Sequence, residues 1–233
     1  MTTSSPWGNP TSRPPPFRPS PIAVVLLVAL PLLGYVGGSY LERHALADPK
    51  TRLAVALQAL DGGYDRAALK LLEPLAQQGN ATAEYHLAIM YEHGFGTPMD
   101  AKKAVDLYTK AAEQSLVPAQ ARLGAIYLHG TLVLQDLAKA REWSVKAATA
   151  GSSEAQVELA NIYEHGFGVP VDPIETYAWN AVAAAHGNAL AASQRDRILN
   201  ALPPGDQGKA EARANAIEAS LKVPPPPSAK AGL

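Results

Sequence analysis

Residues 80–115 read NATAEYHLAIMYEHGFGTPMDAKKAVDLYTKAAEQS, and the pattern of this stretch returns twice more at a step of 36 residues. A leucine, a tyrosine, a His-Gly pair, an aspartate and an Ala-Ala pair keep their places at each return. The recurring positions are Leu87, Leu123 and Leu159; Tyr91, Tyr127 and Tyr163; His93, His129 and His165, each followed by glycine; Asp100, Asp136 and Asp172; and Ala111, Ala147 and Ala183, each followed by alanine. Self-similarity at a fixed period without insertions is typical of a solenoid built from one repeated unit.

Each unit predicts two helices joined by a glycine loop. Residues 80–93 carry apolar side chains at helical spacing, which predicts a first helix, named helix A. Gly94 and Gly96 then predict a loop in which the backbone adopts positive φ. Asp100 stands where the N-cap of a second helix, named helix B, is expected over residues 101–113.

These motifs resemble the Sel1-like repeat, a relative of the tetratricopeptide family. The matching strings are AAEQS at 111–115, AQ at 119–120, LG at 123–124 and YEHGFGV at 163–169, together with Lys139, Ala140 and Trp143 of helix B. A period of 36 with a Gly-x-Gly loop favours this repeat over the tetratricopeptide repeat, whose period is about 34 residues. Three clear units cover roughly residues 79–187.

The resemblance implies an all-α fold and a binding function. The expected fold is a right-handed α-solenoid of helix hairpins, whose concave face is lined by the A helices and binds proteins or peptides. Bacterial relatives of this kind often act as exported or envelope adaptors or regulators. The molecule that is bound does not follow from the repeat.

Composition excludes several classes of function. The chain has 20 basic and 21 acidic residues, so no overall positive field attracts nucleic acid, and no basic stripe is visible. It has no cysteine, which excludes disulfides, thiolate zinc sites and a thiol nucleophile. No nucleotide-binding or nucleophile motif is present, so we expect neither an enzyme nor a bound cofactor.

An apolar segment precedes the repeats. Residues 22–40, IAVVLLVALPLLGYVGGSY, contain no charged residue and as a helix nearly match the roughly 30 Å hydrocarbon core of a membrane. A single transmembrane helix is therefore predicted there. The other predicted segments are a proline-rich disordered tail at 1–21, a linker at 41–50, a degenerate capping helix pair at 51–78, closing helices at 188–222 and a disordered tail at 223–233.

The apolar segment also has a second interpretation, a cleaved signal peptide. Ala45-Leu46-Ala47 has the small-x-small form of a cleavage site, but the polar stretch between the apolar run and this site is too long, which favours an uncleaved anchor. The distribution of basic residues does not fix the orientation. A short tail without acidic residues, ahead of a large domain, favours a cytoplasmic tail and a periplasmic repeat domain. Gly34 and Gly38 form a small-xxx-small pattern that suits helix packing in the membrane.

The candidate partner-binding residues are the positions of helix A that change from unit to unit. They are His86, Arg122 and Glu158 at one equivalent position and Ile89, Ala125 and Asn161 at another. The two positions are three residues apart and lie on the face opposite or beside the packing residues of the helix. Variable residues on a fixed framework are expected where partner choice is determined, although an ordinary solvated face has the same pattern.

The loop of the second unit departs from the pattern, because Leu132 replaces the second glycine. Its backbone must therefore differ from the other loops. Residues 131–134 are predicted either to form an exposed apolar edge for a partner, with Leu132 and Val133 as its binding residues, or to fold back onto a neighbouring loop.

The recurring histidines His93, His129 and His165 invite a metal-binding interpretation. Stacked helices are about 8–10 Å apart, whereas ligands lie roughly 2 Å from a shared ion, so we expect these side chains to cap or pack at the loops. The recurring tyrosines are expected in the packing between helices instead of on a glycan-binding surface.

The sequence thus predicts a membrane-anchored protein-interaction scaffold, with its repeats in a bacterial envelope and an unidentified protein partner. One alternative is an accessory subunit of a membrane complex, contacted through the transmembrane helix. Another is a secreted soluble factor or enzyme released by cleavage near Ala47.

Overall fold

The computed structural model describes residues 48–221, and every regular element in that range is an α-helix. The described helices belong to two compact units that divide between Met99 and Asp100. The predicted tails, the predicted transmembrane helix with Gly34 and Gly38, and most of the predicted linker lie outside the described residues. Within residues 48–221, no helix has the length and apolar character needed to cross a membrane.

The described part of unit 1, residues 48–99, contains three helices. They are α1 (Pro49–Asp61), α2 (Asp65–Gln77) and α3 (Ala81–His93). Asp48 begins α1, because its carboxylate accepts a hydrogen bond of 2.9 Å from the backbone N–H of Thr51. α2 packs against both α1 and α3, and Leu72 and Leu75 of α2 are fully buried between them.

Unit 2 contains seven helices within residues 100–221. They are α4 (Ala101–Glu113), α5 (Val117–His129), α6 (Leu137–Thr149), α7 (Ser153–His165), α8 (Pro173–Ala185), α9 (Ala189–Ala201) and α10 (Pro204–Ser220). α5 with α6 and α7 with α8 form the predicted A–B hairpins, and each B helix packs against the A helix that follows it. α10 packs on α8.

The recurring aspartates begin the B helices of unit 2, as predicted. The carboxylates of Asp100 and Asp136 each accept a hydrogen bond of 3.0 Å from the backbone N–H three residues further on. Asp172 accepts from the N–H groups of Ile174 and Glu175. These bonds satisfy N–H groups that would otherwise lack a partner at a helix start. They also lower the pKa of Asp100 and Asp136 below the usual value.

A buried glutamine joins successive hairpins of unit 2. The Gln120 side chain donates a hydrogen bond of 3.0 Å to the carbonyl of Ala112, at the end of α4. Gln156 repeats this bond at 3.1 Å to Ala148, at the end of α6. The same carbonyls also accept from the backbone N–H groups of Ser115 and Gly151, so each glutamine adds a second bond that holds the next A helix in place.

The loop that contains Leu132 can be understood from the residue that faces it. Gly168 has a φ of +73°, and a Cβ atom there would lie 2.8 Å from Cβ of Leu137. At the equivalent point one unit earlier, Leu132 replaces the glycine and Ala101 replaces Leu137. By this 36-residue step, the large loop residue corresponds to a small residue at the start of α4, and the small loop residue to a large one at the start of α6. Ser115 is the non-glycine residue with positive φ among those described, so Leu132 does not adopt the glycine conformation, as predicted.

Candidate partner-binding surface

The A helices of unit 2 lie side by side. α5 contacts α7 directly. Arg197 of α9 forms an ion pair of 2.5 Å with Glu164 of α7. The side chains on this side of the three helices make up what we name the A-helix surface: Arg122 of α5; Glu158, Asn161 and Glu164 of α7; and Gln194 and Arg197 of α9.

Packing positions and surface positions alternate along these helices. Leu123 and Leu159 are fully buried, whereas the residues just before them, Arg122 and Glu158, are only partly buried. The packing residue is leucine in both units, while the residue beside it changes from a guanidinium to a carboxylate. The repeat therefore keeps its core and changes the chemistry of the A-helix surface.

Glu158 has an unusual electrostatic environment. Burial raises its pKa to about 7, the nearby positive charge of Arg122 acts in the opposite direction, and the negative charge of Glu154 raises the pKa further. The Oε1 atom of Glu158 is buried and accepts no hydrogen bond from the described residues. Near neutral pH this carboxyl group is therefore poised between its neutral and charged forms.

The other predicted residues of unit 2 occupy different environments. Asn161 is partly buried, and its backbone carbonyl lies 3.1 Å from Nδ1 of His165. Ala125 is only 4% exposed, so its side chain contributes to packing and offers no surface to a partner. Ala125 follows Gly124, where a Cβ atom would lie 2.5 Å from Oγ of Ser144, so α6 approaches α5 closely at this point.

Two predicted residues, His86 and Ile89, belong to unit 1. Both side chains are partly buried on α3. Burial lowers the pKa of His86 below its usual value, and the negative charge of Asp61 opposes this effect. The imidazole ring of His86 also stands edge-on to the ring of Tyr85, with centroids 5.3 Å apart.

The apolar loop of the second unit is exposed at its tip. Leu132 and Val133 are partly buried, whereas Leu134 is 92% exposed. The adjoining Gln135 side chain donates a hydrogen bond of 2.7 Å to the carbonyl of Leu128, which holds the loop against the end of α5. The two predicted binding residues are therefore partly covered, and Leu134, which belongs to the same predicted edge, presents the larger apolar surface.

Sequence reasoning also missed Glu164, Gln194 and Arg197. The available signal was the 36-residue step, because Gln194 follows Glu158 and Arg197 follows Asn161 at that distance. Beyond Gly187 this signal is weak, because Arg195 and Leu199 stand where the leucine and tyrosine of the repeat would return.

The recurring histidines pack against aromatic rings in two of the loops, which confirms the predicted packing role for them. The ring centroids of His93 and Phe95 are 5.3 Å apart, and those of His165 and Phe167 are 5.4 Å apart. Among residues 48–221, no three histidine or acidic side chains converge as metal ligands would.

Comparison with known families and structures supports the repeat assignment. The Sel1 repeat model matches three consecutive segments, residues 81–116, 117–152 and 153–188. The solved Sel1 repeat protein from Oxalobacter formigenes is 34% identical with a TM-score of 0.61, and the match covers 68% of this chain and 48% of that one. The protective antigen c5321 of uropathogenic Escherichia coli, described as displaying an SLR fold, is 28% identical with a TM-score of 0.45, covering 74% and 46% respectively.

These matches have a limited extent. This chain spans about half the length of either solved relative. The comparison with curated proteins found no match. Residues 81–188 nevertheless match three consecutive Sel1 repeats, and together with the described helices this match confirms the repeat architecture that the sequence predicts.

Proposed function

We propose that the Sel1 repeats of this chain form a protein-interaction scaffold that binds its partner through the A-helix surface. The observation that carries the proposal is the contrast between constant packing residues and changing neighbours on the same helices. Leu123 and Leu159 are both fully buried, while Arg122 and Glu158 beside them differ in charge. Stability requires the constant buried leucines, but it does not require their neighbours to change.

The shape of the repeat supports the same function. Arrays of helix hairpins present extended surfaces, and each repeat contributes side chains at the same place. Ion pairs across helices, such as Arg197 with Glu164, orient these side chains before a partner arrives. A preoriented surface loses less conformational entropy on binding than a mobile one does.

We further propose that residues 22–40 anchor the scaffold in a membrane, with the repeats in the bacterial envelope and facing the periplasm. The support is the apolar segment itself, which has 19 residues and no charge. An anchor confines the repeats near other membrane proteins, which raises the effective concentration of a partner.

Site-specific photo-crosslinking tests the binding surface. A photoreactive residue replaces Asn161 on α7 or, as the control, the exposed Arg141 on α6 of the full-length chain. We expect one specific protein to be captured from position 161 and not from position 141. Capture from position 141 alone would place binding on the B helices and refute the proposal.

A charge exchange tests the chemistry of the same surface. Arg122→Glu combined with Glu158→Arg should abolish the crosslink from position 161. The matched control is Glu142→Lys with Lys146→Glu, which reverses an exposed ion pair of 2.6 Å on α6 and should leave the crosslink intact. Loss of the crosslink in both variants would indicate that the effect comes from stability and not from recognition.

Membrane extraction tests the anchor and its alternatives. The full-length chain should stay in the membrane fraction after alkaline washing and keep residues before Ala47 in the mature protein. Cleavage near Ala47 would instead support a secreted factor. If Gly34→Leu with Gly38→Leu removes the crosslinked partner while the chain stays in the membrane, the accessory-subunit alternative is correct.

A further inference from the structure

The loops between the A and B helices of unit 2 expose apolar side chains near their ends. Leu134, in the loop between α5 and α6, is the most exposed large apolar side chain among the described residues. Val171, in the loop between α7 and α8, is 60% exposed, and Met99 is exposed in the corresponding loop of unit 1. Each of the three stands within two residues of the aspartate that begins the next helix, so the exposure recurs with the repeat.

The two loops of unit 2 lie beside each other. A Cβ atom added at Gly168 in the second loop would lie 2.8 Å from Cβ of Leu137, the first residue of α6, which directly follows the first loop. We name residues 130–135 and 166–171 together the loop edge. Neither stretch contains a charged side chain.

The opposite ends of the same hairpins have a different character. The loops there have three residues each and expose no large apolar side chain. They are residues 114–116, 150–152 and 186–188. The apolar tips of unit 2 are therefore concentrated at the end where the A helices finish and the B helices begin.

Behind the tips are residue types that suit the boundary between lipid and water. Tyr127 lies in the last turn of α5 and Lys139 in the first turn of α6, and Nζ of Lys139 is 5.1 Å from the centroid of the tyrosine ring. Tyrosine and lysine are common at the headgroup level, because their apolar parts contact lipid while their polar ends reach water. Lys139 also lies 3.5 Å from Asp136, so this pair adds no net charge.

We propose that the loop edge inserts into the surface of the membrane that holds residues 22–40. This inference rests on the proposed anchor and adds the side of the repeats that faces the lipid. Residues 41–47 separate the apolar segment from Asp48, and even fully extended they span only about 25 Å. The repeats are thus confined near the bilayer, where a few protruding aliphatic side chains suffice for contact.

A lipid surface suits the loop edge better than a folded partner does. A specific protein interface buries about 800 Å² on each side and needs matching shapes, whereas the loop edge presents separate tips on two narrow loops. Lipid requires no matching shape, and loops without charge enter the headgroup region without desolvating an ion. Because α5 and α7 end at the loop edge, the A-helix surface extends away from the bilayer and stays accessible to a partner.

The test uses the full-length chain in phosphatidylcholine vesicles and depends on the absence of cysteine from the sequence. Leu134→Cys and Val171→Cys each receive a nitrobenzoxadiazole label, whose emission moves to shorter wavelength away from water. We expect both labels to show this shift and to lose most of their intensity when nitroxide groups are placed on the lipid acyl chains. The same label at Gln114→Cys or Leu190→Cys, two exposed positions near the opposite ends of the hairpins, should stay in water.

An added charge tests whether the apolar tips cause the insertion. Leu134→Asp should return the label at position 171 to water, with emission at longer wavelength and loss of quenching by the lipid nitroxide. The matched control is Leu190→Asp, which changes a leucine that is 61% exposed on α9 and should leave the label at position 171 unchanged. Both variants keep residues 22–40, so the chain should remain with the vesicles.

The outcomes separate this inference from the proposed anchor. Labels at positions 134 and 171 that stay in water, on a chain that floats with the vesicles, would overturn the inference and leave the anchor intact. A shift to shorter wavelength without quenching would also overturn it, because a second copy of the chain would then cover the loops. Equal quenching at position 190 would show that the label itself enters the lipid. A chain that does not float with the vesicles would count against the anchor and the inference together.

Discussion

At the scale of single residues, the burial of Glu158 makes the stability of the fold depend on pH. Its pKa is raised to about 7 from an ordinary value of 4.5, so between these values the folded state binds more protons than the unfolded state. Stability is therefore greatest below the ordinary value and decreases as the pH rises through about 7. Near neutral pH the carboxylate form destabilises the fold that buries it.

The first prediction concerns Glu158→Gln. Because glutamine cannot ionise, the variant should be more stable than the wild type at about pH 8, by a difference on the order of 2 kcal/mol. The difference should disappear at about pH 3.5, below both pKa values, where Glu158 is mostly protonated in both states. Urea unfolding followed by tryptophan fluorescence measures it, since Trp143 and Trp179 both lie in unit 2. A similar pH-dependent gain for Glu142→Gln, at an exposed position, would refute this explanation.

The second prediction compares two glycines in unit 2. Gly168→Ala introduces a Cβ atom 2.8 Å from Cβ of Leu137 at a φ of +73°, and should cost about 1–3 kcal/mol of stability. Gly208→Ala has no atom within 4 Å of the new Cβ and lies inside α10, so it should stabilise the fold by about 0.5–1 kcal/mol. Thermal unfolding of both variants measures this opposite response. Equal responses would show that the loop relaxes around the added methyl group.

At the scale of elements, the joints between hairpins depend on buried glutamines. Gln156 is fully buried, and its side chain satisfies the carbonyl of Ala148 from the next helix. Gln156→Leu keeps the volume but removes this bond, while the carbonyl keeps its bond from the backbone N–H of Gly151, so the variant should destabilise unit 2 by about 0.5–1.5 kcal/mol. Gln120→Leu should behave alike, whereas Gln114→Leu at an exposed position should change stability little. Urea unfolding distinguishes the three, and a large loss at Gln114 would contradict this account.

The sequence predicted these elements well because the repeat supplies the same information three times. The predicted helices over 80–93 and 101–113 compare with Ala81–His93 and Ala101–Glu113 in the structure. Sequence periodicity identifies the side of a helix on which a residue lies, but not how closely the next helix approaches. Ala125 illustrates this limit, since it lies at a variable position yet is buried where α6 approaches Gly124.

The environment of Glu158 was equally out of reach from the sequence. Its selection followed from the 36-residue step, but its raised pKa depends on the depth of burial and on the balance between Arg122 and Glu154. The packing of α10 on α8 is another such case, because ion pairs such as Arg213 with Glu175 at 2.6 Å join residues far apart in the chain. Contacts between residues so far apart produce no pattern within a single stretch of sequence.

At the scale of the whole molecule, a repeat array should tolerate loss of a complete unit. Deleting residues 117–152 joins Leu116 to Ser153, which is the same connection that the natural chain makes between Leu116 and Val117. In unit 2 each hairpin packs mainly on its neighbours, so α7 can take the place of α5 against α4. Gln156 would then face Ala112, the carbonyl that Gln120 satisfies in the full chain.

We therefore expect the deleted chain to keep a helical circular dichroism spectrum and to unfold cooperatively, with Trp179 as the fluorescent reporter. Its stability should be lower, because Gly168 would face Ala101 and the volume that Leu132 fills beside this residue would stay empty. Deleting only residues 117–134 places helix B after helix B, so the apolar faces no longer meet, and this chain should lose its cooperative transition. If the two deletions behave alike, the repeats do not act as interchangeable units, and stability must come from contacts specific to each hairpin.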